Sequence, residues 1–253
     1  MTDSKEGFAA VIERLMSLDD GQDRRRWLRY AGIIPASSAD FKNISNDMFL
    51  FMNEVNKYNQ SQPNKDKQIN NPMSAMQRHM PVLSYLAGFK QEAKGTNFAA
   101  NVDSYWPKDA TVTFNDRDSP EAIRQEGVGS YGYYAPTWNE NKVTVKPDAR
   151  VETLLHELQH VKYKRNTEEK IPVSSMFGLV KSNEDRWYND YYKNKVVNTK
   201  RKKGEGFSPN SMDSLNEWLA NVRAINGIAP EGTPMSYPGL TDAEALHLQN
   251  YYK

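Results

Sequence analysis

Residues 155–161 read Leu-His-Glu-Leu-Gln-His-Val, so two of the chain's four histidines, His156 and His160, stand four positions apart with Glu157 between them. A helix advances about 100° per residue, which puts both imidazoles on one face, one turn apart, able to point at a single ion. Glu157, one step from His156, can then reach a water on that ion without being a ligand. Two imidazoles and an acid so arranged are the parts of a zinc hydrolase, and Zn2+ is the expected cofactor. The competing reading is an amphipathic helix whose two histidines are satisfied in ordinary packing. With His at about 1.6% and Glu at about 6% of residues, an H-E-x-x-H pattern arises by chance in roughly 0.4% of chains this long. Leu154, Leu155, Leu158 and Val161 also supply the core face that a helix carrying the motif requires.

A catalytic zinc takes three protein ligands and leaves its fourth position to water. The chain has no Cys, so the third ligand is a histidine or a carboxylate. His79 and His247 are the other histidines, and neither has ligand spacing to the pair. The metzincin extension would need Gly at 163 and His at 166, where this chain has Tyr163 and Asn166. The best carboxylate is Glu217, on a predicted helix whose apolar side is Leu215, Leu219, Val222 and Ile225.

Here the chain resembles the gluzincin branch of the zincin metallopeptidases, in which HExxH is followed by a downstream helix bearing N-E-x-x-A or E-x-x-A-N. His156, Glu157, His160, Glu217, Ala220 and Asn221 carry the resemblance. It implies zinc held by His156, His160 and Glu217, with Glu157 as general base and proton shuttle, and Ala220 as the small residue that lets the two helices approach. Glu217 has a rival duty, because Ser214-x-x-Glu217 also fits a capping box that would fold the carboxylate back onto the Ser214 backbone. A helix beginning at Ser211 would free it to ligate. Glu184, Asp185, Asp190 and Glu231 are the other carboxylates that could serve. In zincins the edge strand of a small sheet lies beside the active-site helix and pairs with extended substrate, and Lys142–Lys146 resembles that strand; it also reads as a hairpin partner of Tyr131–Tyr134, and the two readings are compatible. A polypeptide substrate would bind such an edge by adding a strand. Arg223, Tyr237 and His247 are downstream donors that could steady an oxyanion, and the sequence does not rank them.

The elements that must position these residues can be read from periodicity. Phe8, Val11, Ile12, Leu15 and Met16 form one helical stripe, and a second helix runs from Arg24 to Tyr30. Phe41, Ile44, Met48, Phe51, Met52 and Val55 form another, with Ser38 or Asp40 as its cap. Residues 58–72 lack apolar periodicity and read as a surface loop or linker. Ser74 through Ala93 returns to helical spacing, broken or kinked at Pro81. Thr111–Phe114, Tyr131–Tyr134 and Lys142–Lys146 have strand composition, and Asp148 is placed to cap the motif helix. The expectation is an α+β chain with a helix-rich N-terminal part over 1–100, for support or docking to a protein partner. A zincin-like metallopeptidase part with a small mixed sheet and an active-site helix follows over 101–253.

Composition narrows the rest. The chain has 253 residues, 38% of them hydrophobic, and a net charge of +1, which argues against disorder and against dedicated nucleic-acid binding. No apolar run approaches the roughly 18 residues of a membrane span, and the N-terminus lacks the pattern of a signal peptide, so a cytoplasmic or virion-associated location is expected. Lys193, Lys195, Lys200, Arg201, Lys202 and Lys203 form a basic run, read as a solvated loop or a docking surface for polyanions. The function these features predict is zinc-dependent peptide-bond hydrolysis. The alternatives are a non-catalytic structural or assembly protein, of virion type, that keeps a zincin fold, and a hydrolase of cell-wall peptide cross-links.

Overall fold

The computed structural model describes residues 4–18, 21–114, 132–134, 141–168 and 215–237, with backbone alone at 132–134, 163–168 and 215–218. It is helix-rich with one small sheet, an α+β arrangement, and by its contacts it divides into two compact units. The first comprises Met1–Lys94 and Lys108–Leu154, and the second Gly95–Pro107 and Leu155–Lys253.

The first unit is built on helices α1 (Lys5–Met16), α2 (Gly21–Tyr30), α3 (Ser38–Ser61), α4 (Pro72–His79) and α5 (Pro81–Glu92). Ser4 caps α1 by accepting from the Gly7 N–H at 3.0 Å, and Phe8, Val11 and Leu15 bury the predicted stripe. α1 comes so close to α3 that a Cβ on Gly7 would stand 2.6 Å from Tyr58 Cε1. The cap of α3 is Ser37, one residue before the expected pair. Asp40 folds back to accept from the Ser37 N–H at 2.6 Å and from its hydroxyl at 2.8 Å. Pro81 ends the periodic run as expected, because its ring sits at the first position of α5 with Met80 as the joint.

Two features of α3 depart from its apolar pattern. Asp40 and Asp47 are buried on the same face as Phe41, Ile44, Phe51 and Val55. Asp47 accepts from the Tyr30 hydroxyl and pairs with Arg26 at 3.0 Å, while Arg29 stands 3.7 Å from Asp40. Burial raises the pKa of both carboxyls, opposed by the Ser37 hydrogen bonds at Asp40 and by Tyr30 and Arg26 at Asp47. The polar segment expected as a loop begins later than read, since α3 runs to Ser61, and it is pinned at its far end. Asn59 donates to Ile69 O at 3.0 Å and accepts from Ile69 N–H at 2.9 Å, with Ile69 fully buried.

The sheet joins β1 (Thr111–Phe114), β2 (Gly132–Tyr134) and β3 (Lys142–Val145) in the order β1-β3-β2. β1 runs parallel to β3 and β2 antiparallel to it, so the sheet is mixed as expected. Val112 of β1 and Val143, Thr144 and Val145 of β3 are buried, and Ala36 bridges to Val112 on the outer side of β1. β3 has a partner on each side. The reading of Lys142–Lys146 as the edge strand is thus corrected: β1 and β2 are the outer strands, and Ala36 already pairs with Val112 on the far side of β1. A hydrophobic, β-branched strand identifies itself locally, but its rank in a sheet is set by distant partners.

In the second unit, α6 (Asn97–Ala100) and α7 (Val102–Tyr105) accompany α8, which spans Val151–Glu168 and enters this unit at Leu155, and α9 (Leu215–Ile228). Tyr105 is their common anchor. Its hydroxyl donates to Asn226 Oδ1 at 2.5 Å, its carbonyl accepts from Gln159 Nε2 at 2.7 Å, and the Arg223 guanidinium lies 4.8 Å above its ring. Asn97 ties α6 to the segment after α9, donating to Asn226 O and Thr233 O and accepting from the Gly232 N–H.

Candidate metal centre

α8 carries the motif and begins at Val151, its first bond running from Leu154 N–H to Arg150 O at 3.2 Å. Asp148 therefore lies in the turn before the helix and does not occupy the cap expected of it. Leu154, Leu155, Leu158 and Val161 are all buried, as their spacing requires. Gln159 is buried with them although the motif leaves its position open. Its amide holds the Tyr105 carbonyl, and its Oε1 is a buried acceptor without a hydrogen-bond partner. A polar residue at a core angle was the available signal for this anchor.

His156 and His160 project from the other side of the helix, and the structure brings them together. Their Nε2 atoms are 3.0 Å apart, with ring planes at 84° and centroids 4.7 Å apart. His160 is 7% exposed and His156 is half-buried, so the pair sits at the boundary between core and solvent. Two imidazole nitrogens at this separation can share a proton or a metal ion. Zn–N bonds of about 2.0–2.1 Å at a tetrahedral angle put two nitrogens roughly 3.3 Å apart, a few tenths of an ångström from the observed spacing. The pair thus fits zinc in atom type and in spacing. Glu157 is half-buried on the next position of the same helix.

Among the described residues no group of three or more His, Asp or Glu could hold a metal ion, so no third ligand appears there. Glu217 falls on the first turn of α9, and its side chain lies outside the described residues, as do Glu184, Asp185, Asp190, His247 and the basic run 193–203. Glu231 is exposed in the turn after α9, its N–H bonded to Gly95 O at 2.9 Å. His79 belongs to the first unit and packs on Phe8 at 4.5 Å between ring centroids.

No family model, curated protein or solved structure matches the chain. The assignment of chemistry therefore rests on the residues themselves.

How α9 meets α8 is fixed at its far end. A Cβ on Gly227 would stand 2.7 Å from Leu155 Cδ1 and 3.2 Å from the Tyr105 ring, so the helices touch there nearly backbone to side chain. By helical spacing Ala220, Ala224 and position 217 lie along the Gly227 side of α9, and both alanines are buried. Arg223, read as a possible oxyanion donor, is committed elsewhere. Its Nη2 donates to Ser104 O at 2.9 Å and Ser104 Oγ at 3.0 Å. Lys162, near the end of the described side chains of α8, has its pKa lowered to about 8 by burial, with the Arg223 charge adding to the effect. No described helix is long and apolar enough to cross a membrane.

Proposed function

We propose that this chain is a zinc-dependent metallopeptidase, with His156, His160 and Glu217 as metal ligands and Glu157 as general base. The observation that carries the reading is the approach of the two Nε2 atoms on a helix whose Leu154, Leu155, Leu158 and Val161, on the opposite face, are all buried. That burial fixes the rotation of α8, so both histidines lie on one side of the helix, away from its leucine face. When bound, zinc supplies Lewis-acid polarisation of a scissile carbonyl and acidifies the attacking water. Glu157, beside His156, removes the proton of that water and returns it to the leaving amine.

Zinc content and proteolysis, measured on the same preparations, test the reading. Glu157→Gln is expected to keep stoichiometric zinc while turnover of an unfolded protein substrate falls by about 10²–10⁴-fold. His160→Ala is expected to lose both. Zinc retained by Glu157→Gln together with undiminished proteolysis would sink the proposal, and zinc without any proteolysis in the wild type would favour a non-catalytic assembly role.

A further inference from the structure

In the first unit a cavity of about 320 Å³ lies between α5 and the turn that joins β3 to α8. It is at the low end of the range of small-ligand pockets, about 300–1,000 Å³. Its apolar part is the stacked pair Tyr85 and Phe89, with centroids 6.0 Å apart, together with Pro81 and Pro147. Two carboxylates line it, Glu92 from the last turn of α5 and Asp148 from the turn. Both residues are exposed. Gly88 forms part of the wall, and a Cβ there would meet no atom within 4 Å.

We propose that this cavity is a binding site for a basic side chain, arginine above lysine, presented by a polypeptide with apolar residues on either side. Phe89 is buried, so the half-buried Tyr85 ring is the aromatic surface here, and a ring beside two carboxylates suits a planar guanidinium, which lies along a ring and pairs with carboxylate at its edge, better than a compact ammonium. The prolines and the Tyr85 ring cover the aliphatic stem and the flanking apolar residues. The walls are already fixed, since the Tyr85 hydroxyl donates to Ala149 O at 3.1 Å and so ties α5 to the turn. The Tyr85 pKa is raised chiefly by burial, and the charges of Glu92 and Asp148 add to the rise, which marks the potential here as negative. The site stands independently of the metallopeptidase reading.

The test is a titration of the ¹⁵N-labelled full chain with acetyl-Leu-Arg-Leu-amide, following the Ser84 and Gly88 amide resonances. Acetyl-Leu-citrulline-Leu-amide, which keeps the shape and removes the charge, is the control. The arginine peptide is expected to bind at least tenfold more tightly than the citrulline peptide. Gly88→Phe, which grows a ring into open space on an exposed helix position, is expected to weaken arginine-peptide binding at least tenfold. The double variant Glu92→Gln/Asp148→Asn is expected to bring the two peptides to equal affinity. Equal binding of both peptides by the wild type would overturn the proposal, as would undiminished arginine preference in the double variant. That surface variant decides the question even if Gly88→Phe does not fold.

Discussion

Gly227→Ala measures how tightly α9 is seated on α8 beside the histidine pair. In an open helix the exchange would stabilise, because alanine has a propensity advantage over glycine of about 1 kcal/mol. Here the new methyl would lie 2.7 Å from Leu155 Cδ1, against an ordinary carbon contact of about 3.5–4.0 Å, and 3.2 Å from the Tyr105 ring. Neither neighbour yields cheaply. Leu155 is fully buried, and Tyr105 is held at its hydroxyl by Asn226, at its carbonyl by Gln159 and on its face by Arg223. Overpacking of this kind costs about 1–3 kcal/mol, so the net expectation is destabilisation by up to about 2 kcal/mol. Urea unfolding followed by circular dichroism reads the difference, and Leu155→Ala in the same background supplies the check. Leu155→Ala alone is expected to cost about 2–5 kcal/mol, and the pair to be less damaging than the sum by about 1 kcal/mol or more, since the methyl then enters the vacated space. A Gly227→Ala protein more stable than wild type by the full propensity gain would refute the close approach.

Other expectations follow from the same geometry. Glu217→Ala should weaken zinc binding, read by competition with a chromophoric chelator, by more than the 10–100-fold typical of outer-shell partners; unchanged affinity would assign Glu217 to the capping box. The raised pKa values of Asp40 and Asp47 mean that the folded chain binds their protons more readily than the unfolded chain does. Their contribution to stability should therefore rise as pH falls from neutrality toward the unfolded carboxyl value of about 4. Wild type should accordingly gain on Asp47→Asn in urea unfolding over that interval, and a loss on acidification would contradict the burial argument. Asn97→Ala removes three hydrogen bonds and should cost about 1–3 kcal/mol, with the Gly232 amide among the first to gain hydrogen exchange.

What could be read from the chain is what depends on near neighbours. The α1 stripe, the break at Pro81, the strand segments and the rotation of α8 all follow from spacing within a few residues. The histidine pair is legible for the same reason, since positions 156 and 160 share a helical face whatever the rest of the fold does. Features that depend on distant partners were not legible. The hairpin pairing of β3 with β2 is legible from their nearness in the chain, but β3 reads as an edge because nothing in its residues says that β1 lies on its other side. Asp40 and Asp47 look solvent-facing by type, and only α2 supplies the Tyr30, Arg26 and Arg29 that accompany them in the core. Arg223 carried no mark of its service to Ser104 and Tyr105, because both lie more than a hundred residues earlier. Asp148 failed as a cap for a smaller reason, since the turn from Lys146 to Ala149 delays the helix start to Val151.

The clasp between Asn59 and Ile69 has a practical corollary. Lys65 and Lys67 stand exposed at the tip of the excursion it closes, while the buried isoleucine and the end of α3 lie on opposite sides of any cut made there. Trypsin nicking at either lysine should give two fragments that separate under denaturing electrophoresis yet co-elute from a native sizing column, which makes this tip a natural place to splice in a tag or a reporter.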